Sequence, residues 1–181
     1  APLMVWSVVV NPGEYFGPFS LGDNIRHVLQ KVRNDSTRFQ QVNFRYNEKD
    51  PLSMGLCVDL VSVGVSLRFS AITQRLESIA VLSLERLELT YMGNVFSTPS
   101  MPPTVLLLHK RFGPTAPGFV DKVDKTFVVS YPGISFSFTV PDSKIDDANL
   151  DTTQLVLSKL HIFKKESLSA SSIRAKQSHP T

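Results

Sequence analysis

Apolar and polar residues alternate along much of this chain. From Gly64 to Leu82 the run GVSLRFSAITQRLESIAVL sets Val65, Leu67 and Phe69 against Ser66, Arg68 and Ser70, the period of a half-buried strand. Thr73 and Gln74 mark a turn, after which Leu76, Ile79 and Val81 return apolar. This stretch predicts a β-hairpin at the centre of the fold, with Phe69 buried. Gly133–Thr139 (GISFSFT) echoes its first strand. Leu3–Val10 is rich in β-formers and reads as a strand ended by Asn11-Pro12-Gly13. Gln41–Tyr46 alternates Val42, Phe44 and Tyr46 with Asn43 and Arg45. Gly55–Ser62 sets Leu56, Val58 and Leu60 against Cys57 and Asp59, and Arg86–Tyr91 puts Leu87, Leu89 and Tyr91 on one side. Thr126–Ser130 and Ile134–Val140 are further strands, and Gln154–Phe163, whose pattern allows strand or helix, reads as a strand from its β-branched and aromatic residues.

Two stretches carry helical spacing instead. Leu21, Ile25, Val28, Leu29 and Val32 fall on one face, with Arg26, Lys31 and Arg33 towards the other. Ser20 followed by Asp23 predicts the N-cap of this helix, as a variant of the capping box. Thr104–Phe112 is the second helix, with Pro102-Pro103 at its mouth and Gly113 past its end. Asn47–Ser53 reads as a loop, Asp50-Pro51 opposing helix. Phe96–Pro103 reads as a link. The expected fold class is therefore α+β, an antiparallel sheet with two packed helices. It divides into an N-terminal strand and connector (1–19), a helix plus antiparallel meander (20–95), a smaller helix-hairpin module (96–163) and a disordered basic tail (164–181). The two middle parts share a helix-then-hairpin plan.

The length of 181 residues and the 42% apolar content are enough for one core. Charge refines the picture. Of the net +3, residues 159–181 hold +4, from Lys159, Lys164, Lys165, Arg174 and Lys176 against Glu166, so the rest sums to −1. The basic balance belongs to the tail, which argues against a nucleic-acid-binding fold. Cys57 stands alone, so neither an internal disulfide nor a cysteine metal framework can form. Ala1–Val10 has no basic leader and is too short for a span. The expectation is a cytoplasmic protein.

Reaction chemistry is hard to find in the pattern. No glycine lies in GxGxxG or a Walker loop, and no GxSxG elbow occurs. His27, His109, His161 and His179 have no i, i+4 partner, so no zinc spacing is visible. The carboxylate pairs Glu85/Glu88, Asp121/Asp124 and Asp146/Asp147 lie beside a strand or in loops, without the divergent settings acid–base work needs. No cofactor, metal or catalytic residue is expected. His109-Lys110-Arg111 is the one compact basic cluster in the body. It suits the C-terminal end of the helix dipole and is the candidate contact for an anion or a partner.

Six blocks then point outwards: Phe19–Gly22 (FSLG), Val42–Ser53 (VNFRYNEKDPLS), Gly64–Ile79, Leu87–Phe96 (LELTYMGNVF), Phe112–Gly118 (FGPTAPG) and Gly133–Phe138. In order and spacing they resemble the phagophore assembly factor family, over residues 3 to about 140. The resemblance implies a non-enzymatic adaptor of autophagosome assembly or endomembrane traffic. It implies pairing with a WD-repeat protein that recognises phosphoinositides, with recruitment to the phagophore through that partner. It supplies no catalytic residue. A curved sheet covered by a helix could instead enclose an apolar pocket, the plan of a small-molecule or lipid carrier. An enzyme would need a cleft with a perturbed acid, base or nucleophile.

Overall fold

The computed structural model describes residues 4–165. The chain begins with β1 (Trp6–Asn11), β2 (Tyr15–Phe16), β3 (Phe19–Ser20), helix α1 (Ile25–Asn34) and β4 (Val42–Arg45). Short helix α2 (Pro51–Met54) leads to β5 (Leu56–Leu60), β6 (Val65–Phe69), β7 (Leu76–Val81), β8 (Leu87–Tyr91) and β9 (Asn94–Ser97). Helix α3 (Val105–Phe112), β10 (Phe119–Asp121), β11 (Thr126–Tyr131), β12 (Ile134–Thr139) and β13 (Leu157–Phe163) complete it. The strands form two sheets, ordered β3-β2-β1-β8-β9 and β10-β11-β12-β13-β7-β6-β5-β4. The protein is α+β but sheet-dominated: two sheets stand where one was expected, and all pairings are antiparallel except β1 with β8.

The hairpin β6–β7 sits inside the larger sheet. Val65 lies opposite Val81 and Leu67 opposite Ile79, with a bulge between Arg68 and Phe69. Leu67, Phe69, Leu76, Ile79 and Val81 are all fully buried. Phe136 and Phe138 of the echoing strand β12 are equally buried. The two hairpins share one sheet because β13 lies between them, pairing with β12 on one side and β7 on the other. The strand expected within Gln154–Phe163 is thus the one that joins the halves.

The meander expected within 20–95 ends at β7. β8 leaves it and pairs in parallel with β1, Trp6 against Leu87 and Val8 against Leu89. Nothing in local alternation distinguishes a strand that continues a meander from one that crosses to another sheet. The supposed link at 96–103 is also corrected. Phe96 and Ser97 belong to β9 and are buried, because Phe96 sets its ring edge-on to Phe112 of α3 and Phe136 of β12. Tyr91 stacks on Phe112 at 4.2 Å, completing an aromatic cluster beneath α3. A second cluster gathers Phe16, Phe19 and Phe39 around Trp6.

Helix α1 starts at Ile25, five residues after the expected cap. The intervening segment has other hydrogen-bond partners: Gly22 N–H donates to the Leu76 carbonyl, and Leu76 N–H donates to that of Asp23. Gly22 takes φ +92°, outside the right-handed helix. Ser20 is paired in β3 and Asp23 binds Lys31, so neither caps. Asn24 does, its side chain accepting from Arg26 N–H at 2.9 Å. Asn24→Ala should therefore cost about 1 kcal/mol, while Ser20→Ala should leave the helix cap intact. Equal losses in urea denaturation would contradict this assignment. Pro51 opens α2 rather than barring helix: as its first residue it lacks only an N–H that had no partner there. β10 is an unexpected strand, pairing with β11.

Candidate interaction surfaces

The basic cluster is divided by α3 itself. Thr104 caps the helix, accepting from Leu107 N–H, and Gly113 N–H closes it on the His109 carbonyl at 2.8 Å. Val105 and Leu108 are buried and Phe112 packs on the core. At 100° per residue this turns His109 towards the packed side, where its Nε2 is buried with no hydrogen-bond partner among the described residues. Lys110 and Arg111 are exposed. They share the solvent face with Leu106 and Leu107, two apolar side chains also left exposed. The surface of α3 is thus mixed, apolar and basic, which the spelling His-Lys-Arg alone did not convey.

A second surface lies at the end of the large sheet. Val42 and Phe44 of β4 stand opposite Leu60 and Val58 of β5, so they belong to the core-facing side. Leu60 and Val58 are fully buried, yet Phe44 is 53% exposed, and Tyr46 just beyond it 58%. The core layer reaches Val42 of the edge strand but stops short of Phe44. Alternation correctly placed these aromatics on one side but could not show that nothing covers them.

The opposite side of the sheet is polar. The register aligns Asn43, Asp59, Ser66, Ala80, His161 and Ser135 in one row across β4, β5, β6, β7, β13 and β12. Asp59 accepts from Arg45 Nη2 at 3.0 Å and from Ser66 Oγ at 2.7 Å. The Arg45 hydrogen bond, with help from Ser66 and from the Arg45 charge, holds the Asp59 carboxyl below its ordinary range despite partial desolvation. A carboxyl lowered on folding contributes stability above its unfolded pKa and loses it as pH falls through the folded value. Stability should decline below about pH 4, and Arg45→Gln should make that decline shallower. Superimposable acid-denaturation curves would show that the pair contributes nothing. His161 shifts downwards too, through desolvation and then the nearby Arg68 charge.

At least one carboxylate of each pair has a structural role. Asp121 accepts from the N–H groups of Val123 and Asp124, Asp147 accepts from Asn149 N–H, and Asp146 pairs with Lys122. Glu88 accepts from Ser7 Oγ. Among the described residues no three His, Cys, Asp or Glu side chains come together as metal ligands. Cys57 is half-buried. A cleft of about 410 Å³ is lined by Gln40, Gln41, Ser62, Ser83, Glu85 and Arg86 beside Val61 and Val63, a polar setting unlike the apolar enclosure of a lipid carrier. No helix among the described residues is long and apolar enough to cross a membrane. The basic tail expected at 164–181 lies outside the described residues from 166 onwards.

The fold and its surfaces define a class: a sheet-rich α+β scaffold that presents one mixed helix face and one uncovered sheet edge. The family pattern described as phagosome assembly factor 1 matches residues 15–179, further than the six blocks reach. The chain belongs to that family. It is 31% identical over 137 residues to a PHAF1 protein of Arabidopsis thaliana, covering 76% of this chain and 33% of the relative. A PHAF1 protein of Drosophila melanogaster is 30% identical over 127 residues, 70% of this chain and 29% of the relative. One of Caenorhabditis elegans is 31% identical over 120 residues, 66% and 28%. The matched region thus spans about a third of these relatives. No solved structure matches the chain.

Proposed function

We propose that this chain is a non-enzymatic interaction module of phagosome and autophagosome assembly. In this reading it works beside a WD-repeat, phosphoinositide-binding partner and reaches the assembling membrane through it. The family and the names of its relatives support the assembly role. The observation that carries the binding role is the solvent face of α3, where Leu106 and Leu107 remain exposed beside Lys110 and Arg111. Apolar side chains rimmed by cations suit a protein surface of apolar and acidic character.

The test is calorimetric binding of the purified chain to a recombinant WD-repeat, phosphoinositide-binding protein. The double variant Leu106→Asp, Arg111→Glu should weaken association about tenfold or more. Unchanged affinity would remove α3 from the interface. No association of the parent chain would remove the partner class.

A further inference from the structure

The edge strand β4 has an open hydrogen-bonding ladder. Val61 N–H donates to the Gln41 carbonyl, and the register places these two residues directly opposite. In an antiparallel pair the residues alternate between those that bond to the neighbour and those that face away. Asn43 and Arg45 therefore bond to β5, while the N–H and C=O groups of Val42 and Phe44 point off the sheet, with Tyr46 next in the same alternation. Outside the β4–β5 ladder, no hydrogen bond among the described residues reaches the backbone of Val42 or Phe44.

Natural edges are blunted by shortness, proline, lysine or bulges. The other edges follow that rule: β3 has two residues, β10 three, and β9 borders a register shift in β8. Val42–Arg45 contains no proline, lysine or bulge, and Arg45 is turned to the polar side and held by Asp59. In the same alternation the side chains of Phe44 and Tyr46 lie uncovered, while Val42 packs partly on the core.

We propose that β4 pairs with β4 of a second copy of this chain, about a two-fold axis through Phe44. That register sets Phe44 opposite Phe44 and Val42 opposite Tyr46 on the apolar side. Asn43 meets Arg45 on the polar side. No like charges are opposed, and the same patch serves both copies, as a two-fold interface requires. The pairing joins two eight-stranded sheets into one and supplies about six backbone hydrogen bonds. The interface is independent of the α3 face.

Analytical ultracentrifugation of the purified 181-residue chain tests this. At micromolar concentration the chain should be dimeric. Phe44→Pro should weaken dimerisation at least about tenfold, because proline removes an outward N–H that the β4–β5 ladder does not use. Val95→Asp, on the edge of the smaller sheet, should leave the dimer unchanged. Phe44→Asp provides a second break should the proline variant prove misfolded by circular dichroism. In a Cys57→Ser background, Phe44→Cys should form an intermolecular disulfide on oxidation, since that position alone faces itself. A monomeric parent chain, a dimer indifferent to both Phe44 variants, or cross-linking through Val42→Cys in place of Phe44→Cys would each overturn the proposal.

Discussion

Phe69→Ala is expected to cost about 3–5 kcal/mol of stability. Phe69 is fully buried at the end of β6, where the bulge sets it against Leu76 of β7 and pairs it with Leu56 of β5. The Gly55 backbone crosses close by: a side-chain carbon at Gly55 would come within 2.2 Å of the Phe69 carbonyl oxygen. Backbone held this closely cannot collapse into the space a phenyl ring leaves, so most of the cavity cost should remain. Guanidinium denaturation reads the effect directly. A loss under about 1 kcal/mol would take this hairpin out of the centre of the core. Phe44→Ala makes the contrast, since a half-exposed ring on the same face should cost far less.

Gly133→Ala should be comparably severe, for a different reason. Gly133 lies in the two-residue turn between β11 and β12, at φ +84°. Its carbonyl accepts from Gly13 N–H at 3.0 Å and from Phe163 N–H at 3.2 Å, tying the turn after β1 to the large sheet. A methyl group there would meet Gly13 N at 2.4 Å and Gly13 Cα at 2.6 Å. These are backbone atoms and cannot swing aside. Alanine at Gly22 meets nothing within 4 Å at a similar positive φ, so it isolates the conformational cost, about 1 kcal/mol. Gly133→Ala should exceed it clearly, at about 3 kcal/mol or more. Equal midpoints for the two variants would show that the sheets do not depend on this contact.

The candidate surfaces were legible to different degrees. Lys110 and Arg111 could be named from the chain, because a basic run before a helix-ending glycine is a local signal. Leu106 and Leu107 could not be assigned to the same face without knowing which side of α3 packs. Phe44 and Tyr46 alternated as core residues should, yet the strand that holds them became an edge. Asn24 caps α1 although Ser20 carries the capping-box spacing, because the bonds to Leu76, a distant residue, hold the intervening segment out of the helix. The Asp59–Arg45–Ser66 group joins three strands, and no spacing in the chain announces it.

By itself the sequence determined the longer strands other than β9, the two longer helices, the buried hairpin and the family. Each follows from interactions between residues close along the chain: alternation sets strand faces, helical spacing sets helix faces, and glycine and proline set the breaks. Tertiary structure alone decided the number of sheets, the parallel pairing of β1 with β8, the joining of the two hairpins by β13 and the exposure of β4. Strand pairing is a choice among distant segments with nearly equal local preferences. Burial belongs to the finished packing, and a residue that could be covered lies bare wherever the layer above it ends.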